Sequence, residues 1–110
     1  MKTKFKPKKL VRDKVPDNIR ANHGDAKTRI LNEEEFKKQL ILKLKEETKE
    51  FEASNNIWEL ADIYEVFKTL VSAHGYTLEV VIDAANIKER HDGAFKNRIF
   101  LESYTKPRRR

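Results

Sequence analysis

The sequence predicts an all-α protein, a small antiparallel helical bundle to which a short two-stranded appendage could be attached. Apolar residues recur at the helical period in three stretches, polar turn-forming residues separate these stretches, and the chain of 110 residues suits a single domain. The charged fraction is 38%, above the typical value of about 25%. Because the apolar residues are nonetheless clustered and periodic, we do not expect a disordered chain.

Two helix starts are marked by residues that suit helix N-termini. Pro16 fits the first turn of a short helix that Gly24 could end. Asn32 can cap the first long helix, and Glu35 stands in the capping-box position three residues later. We expect this first long helix to run over about residues 33–53.

Two more helices and one extended stretch follow. The second long helix is expected over about residues 57–74, with Gly75 at the position that a left-handed C-terminal cap requires. Thr77 can cap a third long helix that ends near residue 92. Residues 95–103 include β-branched and aromatic side chains and could pair with an N-terminal extended piece, which would form the two-stranded appendage.

The composition argues against a disulfide-stabilised, membrane-spanning or secreted protein. The chain has no cysteine, so neither a disulfide framework nor a thiolate metal site is expected. No apolar run approaches the roughly 18 residues that would span a bilayer. The basic N-terminal sequence also lacks the apolar segment of a signal peptide. We therefore expect a cytoplasmic protein without a membrane partner.

The net charge of +6 is unevenly distributed, and its sign changes twice along the chain: +7 over residues 1–32, −5 over residues 33–65 and +4 over residues 66–110. We expect basic tails at residues 1–8 and 104–110 on either side of a helical domain at residues 9–103. A basic protein invites comparison with nucleic-acid-binding proteins. This chain has no arginine-rich recognition helix and no interleaving of aromatic and basic residues, so we do not favour nucleic acid as the partner.

Acidic residues interrupt the apolar stripe of the first long helix. At about 100° per residue, four apolar side chains share this stripe: Phe36, Leu40, Leu44 and Phe51. Glu47 falls inside the stripe and Glu50 lies on its edge, whereas Glu46 projects away from it. Burying an unpaired carboxylate costs several kcal/mol, so these two glutamates require a partner.

The second long helix carries a similar acidic pair. The helix is apolar around much of its circumference, so we expect it to be largely buried, and Glu59 and Asp62 lie on one of its apolar arcs. Only eight residues separate Glu50 from Glu59, so an antiparallel hairpin with a tight turn would bring both pairs together. Four carboxylates repel one another unless a cation neutralises them. All-oxygen ligation favours Mg²⁺ first and Mn²⁺ second.

A simpler alternative requires no metal. The carboxylates could form a solvated acidic helix face that pairs with nearby lysines through contacts one turn apart: Lys43, Lys45 and Lys49. Two acidic pairs that both lie on apolar arcs favour the metal site over this alternative.

The four carboxylates also carry a family resemblance. Glu47, Glu50, Glu59 and Asp62 form a pattern similar to the ExxE…ExxD signature of the all-α nucleoside triphosphate pyrophosphohydrolases. That family includes MazG, the dimeric dUTPases and phosphoribosyl-ATP pyrophosphohydrolase. Residues 9–16, KLVRDKVP, and residues 98–101, RIFL, resemble the two ends of a small MazG-like subgroup. The likeness therefore covers about residues 9–102.

The resemblance implies a metal-dependent enzyme that cleaves a nucleoside triphosphate between its α and β phosphates to a monophosphate and pyrophosphate. It also suggests a role in removing non-canonical nucleotides. The motif carboxylates would hold Mg²⁺. Asn86-x-Lys88 resembles the Asn-x-Lys that serves the triphosphate in MazG, and Arg12, Lys14 and Arg90 are basic groups that could receive phosphate. A nucleotide- or nucleic-acid-binding protein without catalysis is the alternative.

Apolar residues outside the main helical stripes predict self-association. Ile41 and Leu42 lie outside the stripe of the first long helix, and Trp58 adds a large apolar surface at the start of the second. Such patches usually mark an interface, so we expect a homodimer or a dimer of dimers, as the resemblance also implies. Alternatively, the N-terminal segment and residues 95–103 could cover the patch within one chain.

Overall fold

Helices are the only regular secondary structure in residues 4–107, the part of the chain that the computed structural model describes. They are, in chain order, α1 (Val15–Ala21), α2 (Glu33–Ser54), α3 (Ile57–Ala73) and α4 (Leu78–Asp92). The all-α prediction is confirmed, and each helix lies within two residues of its predicted bounds.

The connection between α2 and α3 is a two-residue turn made by Asn55 and Asn56. Asn55 has a left-handed backbone with φ of 53°, a conformation that asparagine tolerates better than most residues. The Asn56 side chain then caps α3, because its Oδ1 accepts a hydrogen bond of 2.8 Å from the backbone N–H of Trp58. At the other end of α2, Asn32 Oδ1 accepts a bond of 2.9 Å from the N–H of Glu35, as predicted.

Glycines near the ends of α1 and α3 act in different ways. Gly75 has φ of 80° and follows α3, which confirms the predicted left-handed cap. After α1 the left-handed residue is His23, with φ of 66°, rather than Gly24. Gly24 instead donates its N–H to the Ile19 carbonyl oxygen at 2.9 Å. A Cβ atom at Gly24 would lie 2.7 Å from Ile19 Cγ2, so the close approach of the chain explains the glycine.

The helices α2 and α3 pack against each other as an antiparallel hairpin. Leu40 from α2 and Val66 and Val71 from α3 are buried and form the core. The rest of the predicted α2 stripe is half-buried, so the helical phase assigned to α2 is confirmed. Burying three aliphatic side chains stabilises the hairpin by about 1.5–3 kcal/mol each.

One of the two apolar arcs of α3 is largely exposed in the single chain, so the expected burial of this helix is not reached within one chain. We call this arc the exposed α3 arc; Val71 within it is buried, but more than a third of the surface of its other four members is accessible, namely Ile57, Leu60, Tyr64 and Phe67. The other arc faces α2 because a hairpin partner covers only one side of a helix.

The chain divides into two compact units, the first ending at Leu78 and the second beginning at Glu79. Most of α4 belongs to the second unit, in which residues 82–107 are all exposed. The single helical domain proposed for residues 9–103 stays a prediction. The outermost parts of the predicted basic tails, residues 1–3 and 108–110, lie outside the described residues.

The predicted two-stranded appendage is absent from residues 4–107, which contain no strand. A strand requires a backbone partner, and the N-terminal piece is engaged differently. Its Lys9 and Arg12 side chains form ion pairs with α2 and α3. No helix within this described range is both long and apolar enough to cross a membrane.

Candidate metal centre

Three carboxylates meet near the turn of the α2–α3 hairpin. Glu47 and Glu50 come from one face of α2, and Glu59 comes from the first turn of α3. One oxygen atom of each residue lies within 4.8 Å of the corresponding atom of the other two. We call this group the carboxylate triad. The i, i+3 spacing on α2 and the two-residue turn are what bring the three side chains to one place.

Glu47 is the buried member of the triad, with only 5% of its surface exposed. Its Oε1 atom lies 3.3 Å from Lys43 Nζ, one turn earlier on α2. Its Oε2 atom is buried and has no hydrogen-bond partner among the described residues, and the same is true of Glu59 Oε2. Leaving a buried carboxylate oxygen unpaired is costly, so these two atoms are the donor atoms at this site that a bound cation could satisfy.

The electrostatics of the triad are consistent with this conclusion. Burial raises the pKa of the Glu47 carboxyl, and the charges of Glu50 and Asp62 raise it further, although Lys43 opposes the shift. Burial also raises the pKa of Glu59, with the charge of Glu50 as the next cause. Both carboxylates are therefore disfavoured in their charged form until a cation compensates them.

Asp62, the fourth predicted ligand, has a different partner. Its Oδ1 accepts a hydrogen bond of 2.6 Å from Nη2 of Arg12. Nη1 of the same guanidinium lies 3.9 Å from Oε1 of Glu65. The structure therefore brings three of the four predicted carboxylates together and pairs the fourth with a predicted phosphate-binding residue.

A cleft of about 270 Å³ lies beside the triad. Its lining combines three cations, two carboxylates and two valines: Lys9, Arg12, Lys43, Glu47, Asp62, Val11 and Val15. Two of these cations, Lys9 and Lys43, were not predicted as site residues. Only the spacing of Lys43, four residues before Glu47, could have indicated its position.

Glu46, which is not a member of the triad, forms ion pairs with both of these lysines. Its Oε1 accepts a hydrogen bond of 2.9 Å from Lys9 Nζ, and its Oε2 lies 3.3 Å from Lys43 Nζ. The hydrogen bond from Lys9 lowers the pKa of Glu46, and the same bond raises the pKa of Lys9. Both oxygens of Glu46 thus have a lysine partner, whereas one oxygen of the neighbouring Glu47 has no hydrogen-bond partner among the described residues.

The alternative of a solvated acidic face accounts for part of this arrangement. The predicted contact between Lys43 and the acidic residues is present. However, Glu47 is buried rather than solvated. An acidic face made only of surface ion pairs would not leave buried oxygens without partners.

The remaining predicted substrate-binding residues are exposed. Lys14 precedes α1, and its carbonyl oxygen accepts a hydrogen bond of 2.9 Å from the N–H of Asn18. Asn86, Lys88 and Arg90 lie on α4 in the second unit. Their participation in one site with the triad stays a prediction.

In comparisons with known proteins, no family model, no curated protein and no solved structure matches this chain. The resemblance to the pyrophosphohydrolase family therefore depends on the motif residues alone.

The triad fits a hard divalent cation by its chemistry and by its size. All its donor atoms are carboxylate oxygens, the ligands that Mg²⁺ and Mn²⁺ prefer. Adjacent ligands of an octahedral Mg²⁺ are about 2.9 Å apart and opposite ligands about 4.1 Å, since each bond is about 2.0–2.1 Å long. Three oxygens that lie within 4.8 Å of one another can reach such spacings by small side-chain rotations.

Proposed function

We propose that this protein is a Mg²⁺-dependent nucleoside triphosphate pyrophosphohydrolase, which cleaves between the α and β phosphates and releases a monophosphate and pyrophosphate. The observation that carries the proposal is the buried Oε2 atom of Glu47, which has no hydrogen-bond partner among the described residues and lies in the carboxylate triad. The ExxE…ExxD pattern supports the choice of reaction.

In the proposed reaction, the carboxylates bind the cation and accept a proton from the attacking water. Glu47, Glu50, Glu59 and Asp62 would hold the cation, which supplies charge neutralisation for the phosphate oxygens when it is bound. The attack of water also requires a proton acceptor. A carboxylate oxygen of these residues that is not bound to the cation could serve.

Cations beside the triad would receive the rest of the triphosphate. Arg12 and Lys43 line the cleft next to Glu47, and Lys9 lies at its edge in contact with Glu46. A guanidinium binds phosphate oxygens through two parallel hydrogen bonds, so Arg12 is suited to this task. Lys14, Asn86, Lys88 and Arg90 complete the substrate-binding set that we propose.

The proposal includes a homodimer or a dimer of dimers in the cytoplasm. The exposed α3 arc runs along one side of a helix, and Trp58, in the first turn of the same helix, is 74% exposed. Large exposed apolar surfaces usually mark an interface, and a second copy of α3 is apolar enough to cover the arc. Removal of non-canonical nucleotides is the physiological role that we propose for the enzyme.

An assay of pyrophosphate release tests the proposal. The purified protein would be incubated with Mg²⁺ and a panel of canonical and non-canonical triphosphates, and Glu50→Gln would be compared with Glu52→Gln. Glu52 is a matched control because it is exposed on α2, two residues from Glu50 and outside the triad. We expect pyrophosphate from at least one substrate, its loss in Glu50→Gln and its retention in Glu52→Gln.

Two other results would contradict the proposal. Release of inorganic phosphate without pyrophosphate would show cleavage at a different bond. Binding of nucleotide without any product, measured by calorimetry, would support the non-catalytic alternative.

A further inference from the structure

Residues 9–12 form a strap, which we call the N-terminal strap, that brings cations to the acidic side of the α2–α3 hairpin. Between its charged ends, Leu10 and Val11 are half-buried, so apolar contacts anchor the backbone. The Arg12 side chain remains 55% exposed while it donates to Asp62 at 2.6 Å. The guanidinium can therefore move without any change in the core.

The partner of Arg12, Asp62, is one of the four carboxylates that the proposed function requires to bind the cation. Asp62 contacts Arg12 instead of joining the triad, although its charge is close enough to raise the pKa of Glu47. Arg12 and Glu47 line the same cleft. The Arg12 guanidinium thus neutralises Asp62, a carboxylate that the proposed cation would also bind.

We propose that Arg12 exchanges partners: it neutralises Asp62 in the metal-free protein and turns to a phosphate group of the nucleotide when a divalent cation takes Asp62. This inference rests on the proposed function. A guanidinium donates hydrogen bonds to carboxylate and to phosphate oxygens alike, so Arg12 has a partner in both states.

The exchange couples the binding of metal and nucleotide. A metal that binds alone must displace Arg12 from Asp62 without a new partner for the guanidinium. A triphosphate provides that partner, so each ligand strengthens the binding of the other by the same factor. Arg12 therefore weakens the binding of metal alone and strengthens the binding of the metal–nucleotide complex.

Binding of Mn²⁺ alone, measured from the loss of the free-ion electron paramagnetic resonance signal, tests this inference without any turnover. The variants are Arg12→Gln and Arg12→Ala, with Lys8→Gln as the control. Lys8 is exposed one residue before the strap, and its replacement removes the same charge. Glu50→Gln reports whether the Mn²⁺ occupies the triad. Circular dichroism melts would verify that each variant is folded.

We expect both Arg12 variants to bind Mn²⁺ about three- to fivefold more tightly than the unmodified chain, in line with the strength of a partly exposed ion pair. Lys8→Gln should differ from the unmodified chain by less than about 1.5-fold, since exposed charges are largely screened. With Mn²⁺ and tripolyphosphate together, the Arg12 variants should instead bind more weakly than the unmodified chain.

Different results would overturn different claims. If the Arg12 variants bind Mn²⁺ no more tightly than Lys8→Gln does, while Glu50→Gln still abolishes binding, partner exchange is wrong and the metal site stands. If neither the unmodified chain nor the Arg12 variants bind Mn²⁺ at millimolar concentration, both the exchange and the proposed function fail.

Discussion

The Nζ atom of Lys43 lies 3.3 Å from Oε1 of Glu47, one helical turn later on α2, while Oε2 of the same carboxylate is buried without a hydrogen-bond partner among the described residues. One cation of the protein thus compensates half of this carboxylate. The same carboxylate belongs to the triad with Glu50 and Glu59, two further acids. This half-satisfied group is the physical basis for the metal site that we propose.

Replacing a proposed metal ligand should reduce the rate of hydrolysis without unfolding the protein. We expect Glu47→Gln and Asp62→Asn to reduce hydrolysis by at least about 100-fold, because the loss of groups that merely orient ligands already costs 10–100-fold. The fold should remain intact without metal in both variants. Glu47→Gln removes repulsion among the carboxylates, and Asp62→Asn gives up only a partly exposed ion pair with Arg12. Steady-state assays and thermal melts in EDTA would measure both effects.

Glu46→Gln is the matched control for Glu47→Gln. Glu46 is bonded to Lys9 and Lys43 and lies outside the triad, so its replacement should affect hydrolysis far less. Equal loss of activity in the two variants would contradict the assignment of Glu47 to the site and of Glu46 to a position outside it.

Metal binding should stabilise the folded protein. A ligand that binds only the native state adds about 2.7 kcal/mol when its concentration is 100 times its dissociation constant. The triad exists only in the folded chain, because the turn between α2 and α3 brings its members together. Thermal melts in EDTA and in millimolar Mg²⁺ would measure the effect, and equal melting temperatures would count against a preformed site.

The stability of the metal-free protein should increase as the pH falls from neutral towards 4.5, the ordinary glutamate pKa. Glu47 and Glu59 have raised pKa values in the folded state, so the native state binds protons more readily than the unfolded chain in this window. Their contribution is fully present below 4.5 and is lost as the pH rises through their folded pKa values.

Other carboxylates act in a different pH window. Glu46 and Glu35 have lowered pKa values because of their hydrogen bonds with Lys9 and Arg29, so their contribution is lost only below 4.5. Urea titrations in EDTA across the pH range would test these signs. A steady decrease in unfolding free energy from pH 7 to 5 would contradict the prediction.

The exposed α3 arc should be covered by a second copy of the chain. Light scattering coupled to gel filtration should give about twice 13.0 kDa, or about four times for a dimer of dimers. Tyr64→Lys should shift the protein towards the monomer, because it places a charge on this exposed apolar arc. A mass near 13.0 kDa for the unmodified chain at micromolar concentration would contradict the dimer.

Local sequence signals predicted the helices and the position of the buried acid. The capping role of Asn32 and the left-handed Gly75 depend on neighbouring residues only, and both are observed. Glu47 is buried because its angular position places it among the apolar residues of α2, which the helical period determines. These features require no knowledge of distant contacts.

Features that depend on distant partners could not be predicted in the same way. Arg12 and Asp62 are 50 positions apart, and no local period relates them. The apolar arcs of α3 do not themselves indicate which one α2 covers, so the arc that stays exposed could not be assigned from the sequence. Residues 95–103 have strand-forming composition, but composition does not supply the partner that a strand requires.

Anomalous X-ray diffraction from crystals grown with MnCl₂ would test the central claim most directly. We predict a manganese peak bounded by the carboxylates of Glu47, Glu50 and Glu59 in the unmodified protein, and no peak there in crystals of Glu50→Gln. A well-ordered triad without a manganese peak at saturating MnCl₂, or manganese found only at other carboxylates, would contradict the claim that this group is a metal centre.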